Sequence, residues 1–402
     1  MDARSTSALA APPRLATLVI ATSVGPLALN IFLPSLPGMA RYFAVDYGVV
    51  QLALSLYLVA MALLQLVLGP ASDRYGRRPV LLTSLIIFLV ATLAAIQSPN
   101  VHVLLACRIM QAFGAAGIVL SRAIVRDTVD AEDAASKIGY ITMGMSVTPM
   151  IAPFIGGYLD EIYGWKASFW LTFAFGLLAL VVVYLDLGET NRNRSSSFAA
   201  QFRAYPELIA SPRFWGYTLT AMFGSGAFFA FLGGGPYVST EMLKLTPSQY
   251  GFYFGLISIG YMLGNFVSGR FSKRVGMNHM MLAGNVVTTV GLCASLALFL
   301  GGSMHALALF GPAAFVGIGN GMTLPSANAG IVSVRPHLAG SASGLGGALT
   351  LGGGAVLAAI TAALLSPDSG PYPLLITTLL SAVAGVFTTL WVVRRARVKG
   401  EL

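Results

Sequence analysis

Charged residues are scarce in this sequence. Only 10% of the 402 residues are Asp, Glu, Lys or Arg, whereas about 25% is usual for a soluble domain. Hydrophobic residues make up 56%, and the mean hydropathy is +0.77. Such a composition excludes an ordinary soluble globular protein. It indicates many apolar helices that pack against one another inside a bilayer.

Groups that would hold a metal, a cofactor or a catalytic nucleophile are also missing. Cys107 and Cys293 both fall inside apolar segments, so they form no extracellular disulfide framework and belong to no Cys/His metal cluster. The sequence GIGNG at 317–321 has no following Lys-Ser/Thr, which argues against an ATP-binding loop. The four histidines lie in loops without a nearby serine and acid. We therefore expect no cofactor, no metal and no enzyme activity.

Long apolar runs alternate with short polar loops along the whole chain. A helix needs about 18 residues or more to cross a bilayer. Counting such runs gives twelve spans, at 15–37, 48–70, 79–97, 102–125, 138–162, 166–186, 213–238, 248–270, 279–300, 304–333, 339–365 and 371–393. The sequence thus predicts an all-α integral membrane protein with twelve transmembrane helices.

The basic residues predict the orientation of these spans. With both termini in the cytoplasm, the 24 Lys and Arg residues divide into 20 inside, three outside and Arg108 alone within a span. Loops rich in Lys and Arg stay on the cytoplasmic side of a membrane. The same rule accounts for the net charge of +9, so we do not expect a nucleic-acid partner.

One turn sequence occurs twice. GPASDRYGRRPVL at 69–81 returns in part as GRFSKRVG at 269–276, with Gly, Ser, Arg and Gly at matching positions. This offset predicts a duplicated chain with two pseudo-symmetric six-helix bundles. We expect an N-terminal bundle at 1–188, a cytoplasmic linker at 189–212 and a C-terminal bundle at 213–402. The linker aromatics Phe198, Phe202 and Tyr205 either contact the membrane surface or belong to a plain flexible linker.

Arg108 is the main functional candidate that physics alone provides. It lies about two turns inside the fourth span, roughly 10 Å from the outer surface at 1.5 Å per residue. A charge at that depth is costly, which favours a role in a polar cavity. The competing hypothesis is an arginine that bonds backbone carbonyls and Gln111 and so ties helices together.

Several motifs carry a family resemblance. The loop at 69–81, the pattern Leu104-x-x-x-Arg108-x-x-Gln111-x-x-Gly114-Ala115 and the stretch TPMIAPFIGG at 148–157 resemble signatures of the major facilitator superfamily, in its twelve-helix drug/proton antiporter group. NIFLPSLP at 30–37, SRAIVRD at 121–127, GGPYVSTE at 234–241 and HLAGSASGL at 337–345 are similar to the Bcr/CflA subfamily of multidrug efflux proteins. Ala152 stands where the antiporter signature has its central glycine.

The resemblance implies a gate at the cytoplasmic end of the second helix. Asp73 would stabilise the outward-facing state through charge and helix-end interactions, with arginines as its partners. The gating set that the resemblance implies is Asp73, Arg74, Arg77, Arg126 and Asp127. The alternative is that these charges only enforce topology, although the acid Asp73 would not serve that purpose.

Pro149, Pro153, Gly156 and Gly157 in the fifth span have two interpretations. They are either bending points for alternating access or small surfaces for close helix packing. The antiporter resemblance supports bending at Pro149 and Pro153 as well as packing, whereas close packing is the preferred interpretation of the glycines.

Asn30 departs from the family pattern. Bcr/CflA-like proteins usually have an Asp there, as the expected proton site, and Asn does not titrate. None of the fifteen acids falls at the centre of a predicted span. Proton coupling would then need an acid near a helix end, or a substrate that is itself charged.

The family analogy also predicts the wall of a substrate cavity, built by the first, fourth, seventh and tenth helices with contributions from the second and eighth. Aromatic rings with a few hydrogen-bonding groups suit bulky, weakly polar ligands. The predicted wall residues are Asn30, Tyr57, Arg108, Gln111, Phe228, Phe229, Phe231, Tyr261, Asn320 and Asn328.

The resemblance implies a secondary transporter that exports small amphipathic drugs by proton antiport across a bacterial inner membrane. Its partners would be the substrate, protons and the lipid bilayer, and we expect a functional monomer. An alternative is a uniporter or exchanger for an amino acid, sugar or short peptide, which the absence of a mid-helix acid favours. A membrane enzyme or receptor would need a catalytic cluster or a sizeable extramembrane domain, and the sequence has neither.

Overall fold

The structure is a computed structural model that describes residues 13–191, 205–335 and 338–398. These ranges contain helices and no strand, and twelve helices are long and apolar enough to cross a membrane. They are α1 (Leu15–Phe43), α2 (Tyr47–Tyr75), α3 (Arg77–Ile96), α4 (Val101–Thr128), α5 (Ser136–Tyr163), α6 (Lys166–Asp186), α7 (Pro212–Met242), α8 (Pro247–Val275), α9 (Met277–Leu300), α10 (Ala306–Ser333), α11 (Ala339–Leu364) and α12 (Tyr372–Arg395). The predicted all-α class and all twelve spans are confirmed.

Most helix contacts lie within the first six helices or within the last six. Helix α1 packs on α4, α5 and α6, while α10 packs on α8 and α9. Helices α2 and α11 face each other, as do α5 and α8, and these two pairs form the principal seam between the N-terminal and C-terminal halves. The linker prediction falls largely on residues 192–204, which lie outside the described ranges.

Three spans change their helical geometry part-way. A 3₁₀ turn at Leu33–Ser35 interrupts α1, where Pro34 cannot donate a backbone hydrogen bond. Another at Ala112–Ala115 divides α4 directly after Gln111. Helix α7 closes with a π turn at Val238–Met242. Such local changes often occur at functional positions of helices.

Several helices extend beyond the predicted apolar spans. Helix α2 continues from the predicted end at residue 70 through Pro70 to Tyr75, and Gly76 caps it with a positive φ. Hydropathy finds the part of a helix in hydrocarbon, whereas charged side chains such as Asp73 and Arg74 reach water from turns that are still helical.

The two ends of the helical bundle differ. We call the end with the α2–α3 and α8–α9 turns the basic end and the other the opposite end. Near the opposite end the halves touch through backbone: a Cβ atom at Gly157 would lie 2.1 Å from the Pro247 carbonyl oxygen, and one at Gly251 would lie 2.3 Å from that of Pro153. Small residues allow this close approach of helices in membranes.

Polar contacts join the halves near the opposite end as well. Arg41 forms an ion pair with Glu241, the Tyr47 hydroxyl donates to the Gly233 carbonyl at 2.7 Å, and the Ser248 hydroxyl donates to Glu161. The structure is therefore closed at this end.

The seam opens toward the basic end. Gly139 lies four turns before Pro153 and on nearly the same side of α5, given 3.6 residues per turn. It is exposed, and nothing lies within 4 Å of the Cβ position there. Gly340 near the start of α11 has equally open surroundings. The facing surfaces of the two halves thus part between the middle of the bundle and its basic end.

Candidate functional site

The side chain of Arg108 lies between two aromatic rings in the N-terminal half. It is 1% exposed, and its Cζ atom lies 4.2 Å from the centre of the Phe32 ring and 4.4 Å from that of Tyr57. A desolvated cation–π contact is worth about 2 kcal/mol. The Nε atom also donates to the Ala53 carbonyl at 3.0 Å. Helices α1, α2 and α4 therefore share one buried cation.

Gln111 extends these contacts to α3. Arg108 Nη1 donates to Gln111 Oε1 at 2.8 Å, and Gln111 Nε2 donates to the Thr92 hydroxyl at 2.8 Å. Thr92 in turn donates to the Phe88 carbonyl. These bonds are the ones that the helix-tying hypothesis expects for this arginine. Hydrogen bonds to a charged group contribute about 1.5–3 kcal/mol each, which offsets part of the desolvation cost.

Two polar atoms in this region stay unsatisfied. Arg108 Nη2 and Asn30 Oδ1 are buried and have no hydrogen-bond partner in the part of the chain that the structure describes. Asn30 Nδ2 donates to the Pro26 carbonyl one turn earlier. Among the described side chains, no carboxylate lies within ion-pair distance of Arg108. The positive charge is therefore balanced by rings and dipoles, because arginine does not lose its proton in proteins.

Tyr57 has a second contact besides its ring face. Its hydroxyl donates to the Gly25 carbonyl at 3.0 Å and the whole side chain is buried. The structure thus buries four of the predicted residues inside the N-terminal bundle: Asn30, Tyr57, Arg108 and Gln111.

The predicted residues of the C-terminal half occupy different environments. Phe231 is buried against Phe310, with ring centres 5.7 Å apart, while Phe228 is half-buried and contacts Phe229. The remaining three differ in exposure: Asn320 is buried, Tyr261 is half-buried and Asn328 is exposed. The C-terminal core therefore contains packed aromatic rings, whereas the N-terminal core contains the buried guanidinium of Arg108.

Arg77 organises the basic end of the N-terminal half. Its Nη1 atom lies 2.5 Å from Asp73 and its Nε atom 2.9 Å from Asp127. The Ser72 hydroxyl accepts a further bond from Nη1 at 2.5 Å. The Arg77 side chain is only 10% exposed. Because its partners come from α2 and α4, Arg77 joins three helices at the predicted gate.

The other two predicted gate arginines lie at the rim of this cluster. Arg74 contacts the ring of Tyr75, with Cζ 5.4 Å from the ring centre. Arg126 is exposed in the last turn of α4, one residue before Asp127. The structure therefore places all five predicted gate residues at the basic end, with Arg77 as the central member.

Glu189 belongs to the same cluster, and the sequence analysis missed it. Its Oε1 atom accepts from the backbone N–H of Arg77 at 3.0 Å, and its Oε2 atom accepts from that of Arg78 at 3.3 Å. A carboxylate at this place caps the first turn of α3 and interacts favourably with the helix dipole. The only sequence signal was a lone acid directly after the sixth span, and nothing in it indicated a partner 112 residues earlier.

Gly76 permits this capping interaction. Its φ of +105° favours glycine, and a Cβ atom there would lie 2.3 Å from Glu189 Oε2. Asn191 adds two contacts: its backbone N–H donates to Glu189 and its side chain donates to the Asp73 carbonyl. The segment after α6 is thereby joined to the turn between α2 and α3.

Helix α5 runs through Pro149 and Pro153 without a break. Gly156 lies against the Ile31 carbonyl of α1, where a Cβ atom would be 1.7 Å from the oxygen, and Gly157 faces α8. These contacts are the ones that close packing requires. Bending at the prolines stays a prediction.

Sequence comparison addresses the family. A family model described as Major Facilitator Superfamily matches residues 18–243 and 235–402, nearly the whole chain. The chain belongs to the major facilitator superfamily. Residues 69–81 hold the loop motif on which the prediction of this superfamily was based.

Two curated relatives confirm the predicted resemblance to the drug-efflux branch of the major facilitator superfamily. Multidrug resistance protein D of Escherichia coli (strain K12) is 32% identical over 370 residues, which cover 90% of this chain and 92% of that protein. The bicyclomycin resistance protein homolog of Haemophilus influenzae is 29% identical over 365 residues, which cover 88% and 90%.

A solved structure shares the major facilitator fold. The crystal structure of a bacterial homolog to the human lysosomal transporter Spinster, in an inward-facing and occupied conformation, aligns with a TM-score of 0.72. The alignment covers 95% of this chain and 96% of that chain at 16% identity. This likeness supports the predicted major facilitator fold.

Proposed function

We propose that this protein is a secondary active efflux transporter that exports small amphipathic compounds by alternating access. The observation that carries the proposal is the seam between the halves, which is closed near Gly157 and Gly251 and open near Gly139. A molecule that is open at one end only is the form expected of an alternating-access transporter. Relatives that are named for multidrug and bicyclomycin resistance support drug efflux.

We place the basic end in the cytoplasm of a bacterium and the bundle in its inner membrane, with both termini cytoplasmic. The excess of Lys and Arg at that end supports this orientation. The structure then corresponds to an inward-facing transporter that takes up its substrate from the cytoplasm. The bundle works as a monomer, since each half provides one wall of the cavity.

The proposed gate keeps the N-terminal half rigid while the seam opens. Arg77, Asp73, Asp127 and Glu189 all belong to that half. Their bonds therefore persist whichever way the halves move. The cavity wall retains the predicted residues, with Asn30 as a substrate contact and Arg108 as the fixed charge that organises the polar groups around it.

Proton antiport is the proposed source of energy. No acid lies at the middle of a predicted span, so the coupled proton binds a carboxylate nearer a helix end. Asp127 is the candidate for this role because it lies near the end of α4 and its side chain is 24% exposed, so it reaches water.

A second candidate is a uniporter or exchanger for a small metabolite. The neutral amide of Asn30 and the absence of any carboxylate near Arg108, over the described residues, favour it. Under this hypothesis the substrate alone drives the exchange of conformations.

Everted membrane vesicles with an imposed pH gradient distinguish the two candidates. We expect uphill accumulation of a drug such as chloramphenicol, and we expect a protonophore to abolish it. Gradient-independent exchange of the drug would support the second candidate. Liposomes with purified protein that move no solute from a panel of drugs and metabolites would contradict both.

Two variants test the assigned residues in the same vesicles. Asn30→Asp should change the pH dependence of transport, because it adds a titratable group at the position where the family pattern has an Asp. Gln97→Glu, which adds a titratable group at an exposed position directly after α3 and outside the cavity wall, is the control. Arg108→Ala should abolish transport in a protein that still inserts correctly. Normal transport by Arg108→Ala would remove Arg108 from the proposed mechanism.

A further inference from the structure

One side of α8 is exposed along its whole length. Phe252, Ile259 and Phe266 follow one another at intervals of seven residues, and their exposed fractions are 68%, 48% and 68%. Seven residues correspond to two turns, so these side chains form a single stripe along the helix. In a bilayer this stripe contacts hydrocarbon. Gly260 and Gly264, on another side of the helix, pack against α10.

The stripe ends in three cations at the basic end. Arg270 follows Phe266 after one turn, Arg274 follows after another, and Lys273 lies seven residues after Phe266. All three are exposed. One turn of helix spans about 5–6 Å, so the cations begin within a side-chain length of the last aromatic ring. A single helix face thus changes from apolar to basic within one to two helical turns.

These three cations have no acidic partner over residues 13–191, 205–335 and 338–398. The described acid closest before α7 is Glu207, in the linker segment, and it pairs with Arg335 at 2.7 Å. The turn between α8 and α9 therefore carries an unbalanced charge of about three at its surface.

The equivalent helix of the N-terminal half ends differently. At an offset of 200 residues, Lys273 corresponds to Asp73 and Arg270 corresponds to Pro70. Arg77, the cation next to Asp73, is almost fully buried by its carboxylate partners. The positive-inside rule requires an excess of Lys and Arg near this end, but it does not require them to continue an apolar stripe. The arrangement on α8 needs a further explanation.

We propose that the basic end of α8 binds an anionic phospholipid. Arg270, Lys273 and Arg274 contact the phosphate of its headgroup, and one acyl chain lies along Phe266 and Leu263. Arginine forms paired hydrogen bonds with phosphate oxygens, and each Lys or Arg near an anionic surface contributes about 1 kcal/mol. In the proposed orientation the lipid belongs to the cytoplasmic leaflet. The lipid site does not depend on the transported substrate.

Native mass spectrometry of the purified full chain tests the site. The probes are phosphatidylglycerol and phosphatidylcholine with identical acyl chains. We expect wild-type protein to retain phosphatidylglycerol with at least about tenfold preference. The triple variant Arg270→Gln/Lys273→Gln/Arg274→Gln should reduce that preference to within about twofold.

A matched control removes the same charge elsewhere at the same end. Lys137→Gln/Arg394→Gln/Arg395→Gln leaves the α8 stripe intact and should keep the wild-type preference. Equal loss of preference in both triple variants would overturn the proposal, because it would reduce the effect to net charge. Circular dichroism and gel filtration ensure that only folded variants are compared.

Two further measurements separate a lipid from a free phosphate. Phe266→Ala should weaken retention of phosphatidylglycerol without affecting glycerophosphoglycerol, which has the same headgroup and no acyl chains. Displacement of the lipid by an equal concentration of inorganic phosphate would overturn the assignment of the acyl chain. Lys273→Asp, which gives α8 the residue type of α2, should abolish the preference for phosphatidylglycerol.

Discussion

The α2–α3 turn and the α8–α9 turn have the same backbone. Gly76 has φ +105° and ψ 151°, and Gly276 has φ +85° and ψ 149°. Each glycine N–H donates to the carbonyl of the serine four residues earlier, at 3.1 Å for Ser72 and 2.9 Å for Ser272. The glycine and serine that recur in the sequence therefore build the turn.

The two turns share Arg74 and Arg274 but differ in their other charges. Asp73 corresponds to Lys273, and Arg77 corresponds to Met277. In the N-terminal half the carboxylates enclose Arg77, whereas around Gly276 the nearest atom to a Cβ position is His279 Nδ1 at 3.9 Å. The motif that recurs at 69–76 and 269–276 therefore specifies the backbone of the turn in both halves. The ionic cluster around Arg77 is formed in the N-terminal half.

Arg77→Gln should have the largest effect on this comparison. It leaves Asp73 and Asp127 without their partner; each charge-assisted contact contributes about 1.5–3 kcal/mol, and less at Asp73, whose side chain is 45% exposed. We expect a clear decrease in the unfolding midpoint in detergent micelles and loss of transport. Met277→Gln, at the corresponding place in the other half, should change neither. Similar midpoints for the two variants would contradict the ionic difference between the turns.

Gly76→Ala should rank second. A backbone with φ +105° and ψ 151° is essentially restricted to glycine and costs an alanine about 1–3 kcal/mol, and the new methyl group also displaces the Glu189 carboxylate from the start of α3. Gly276→Ala carries the backbone cost alone. Comparison of the two unfolding midpoints therefore isolates the carboxylate contact. Equal decreases in the two unfolding midpoints would show that the Glu189 carboxylate moves aside without a loss of stability.

Glu189→Gln should have a smaller effect of about 1 kcal/mol, because a neutral amide caps a helix less well than a charged carboxylate. The measurement is the same unfolding midpoint, together with hydrogen exchange at the amides of Arg77 and Arg78. Faster exchange at these two amides is expected. Unchanged exchange there would remove Glu189 from the cap. The α9 amides serve as the internal control, since among the described residues no acid lies at their turn.

Lys273→Gln should have the smallest effect on stability. An exposed side chain without a described ionic partner changes the free energy of unfolding by less than about 0.5 kcal/mol. Asp73→Asn at the corresponding position should cost more, because it removes a partner of Arg77. A larger decrease in the unfolding midpoint for Lys273→Gln than for Asp73→Asn would reverse the comparison.

The sequence predicted the fold because apolar length and basic loops are local properties. Twelve spans could be counted without knowing which helices meet. Arg108 was also recognisable, as the basic residue that lies well away from both ends of a predicted span. The surroundings of Arg108 could not be predicted, because its contacts with Phe32 and Ala53 join residues from different helices.

Contacts between distant segments were beyond the sequence analysis. Glu189 meets Arg77 across 112 residues, and no periodicity encodes that meeting. Phe231 shows a related limit, since an aromatic residue on a predicted cavity helix packs equally well against Phe310 in the core. The predicted helix ends differ from the observed ones because hydropathy marks the part of a helix that lies in hydrocarbon. It does not mark where the helical backbone ends.

The crossing of α5 and α8 consists largely of main chain. Gly157 meets the Pro247 carbonyl, and Gly251 meets that of Pro153. Apart from the bond between Ser248 and Glu161, these close contacts join carbonyl oxygens to glycine backbone, so few rotamers need to change when α5 and α8 separate. A methyl group added at Gly251 would lie against the Pro153 carbonyl and hold the two helices apart.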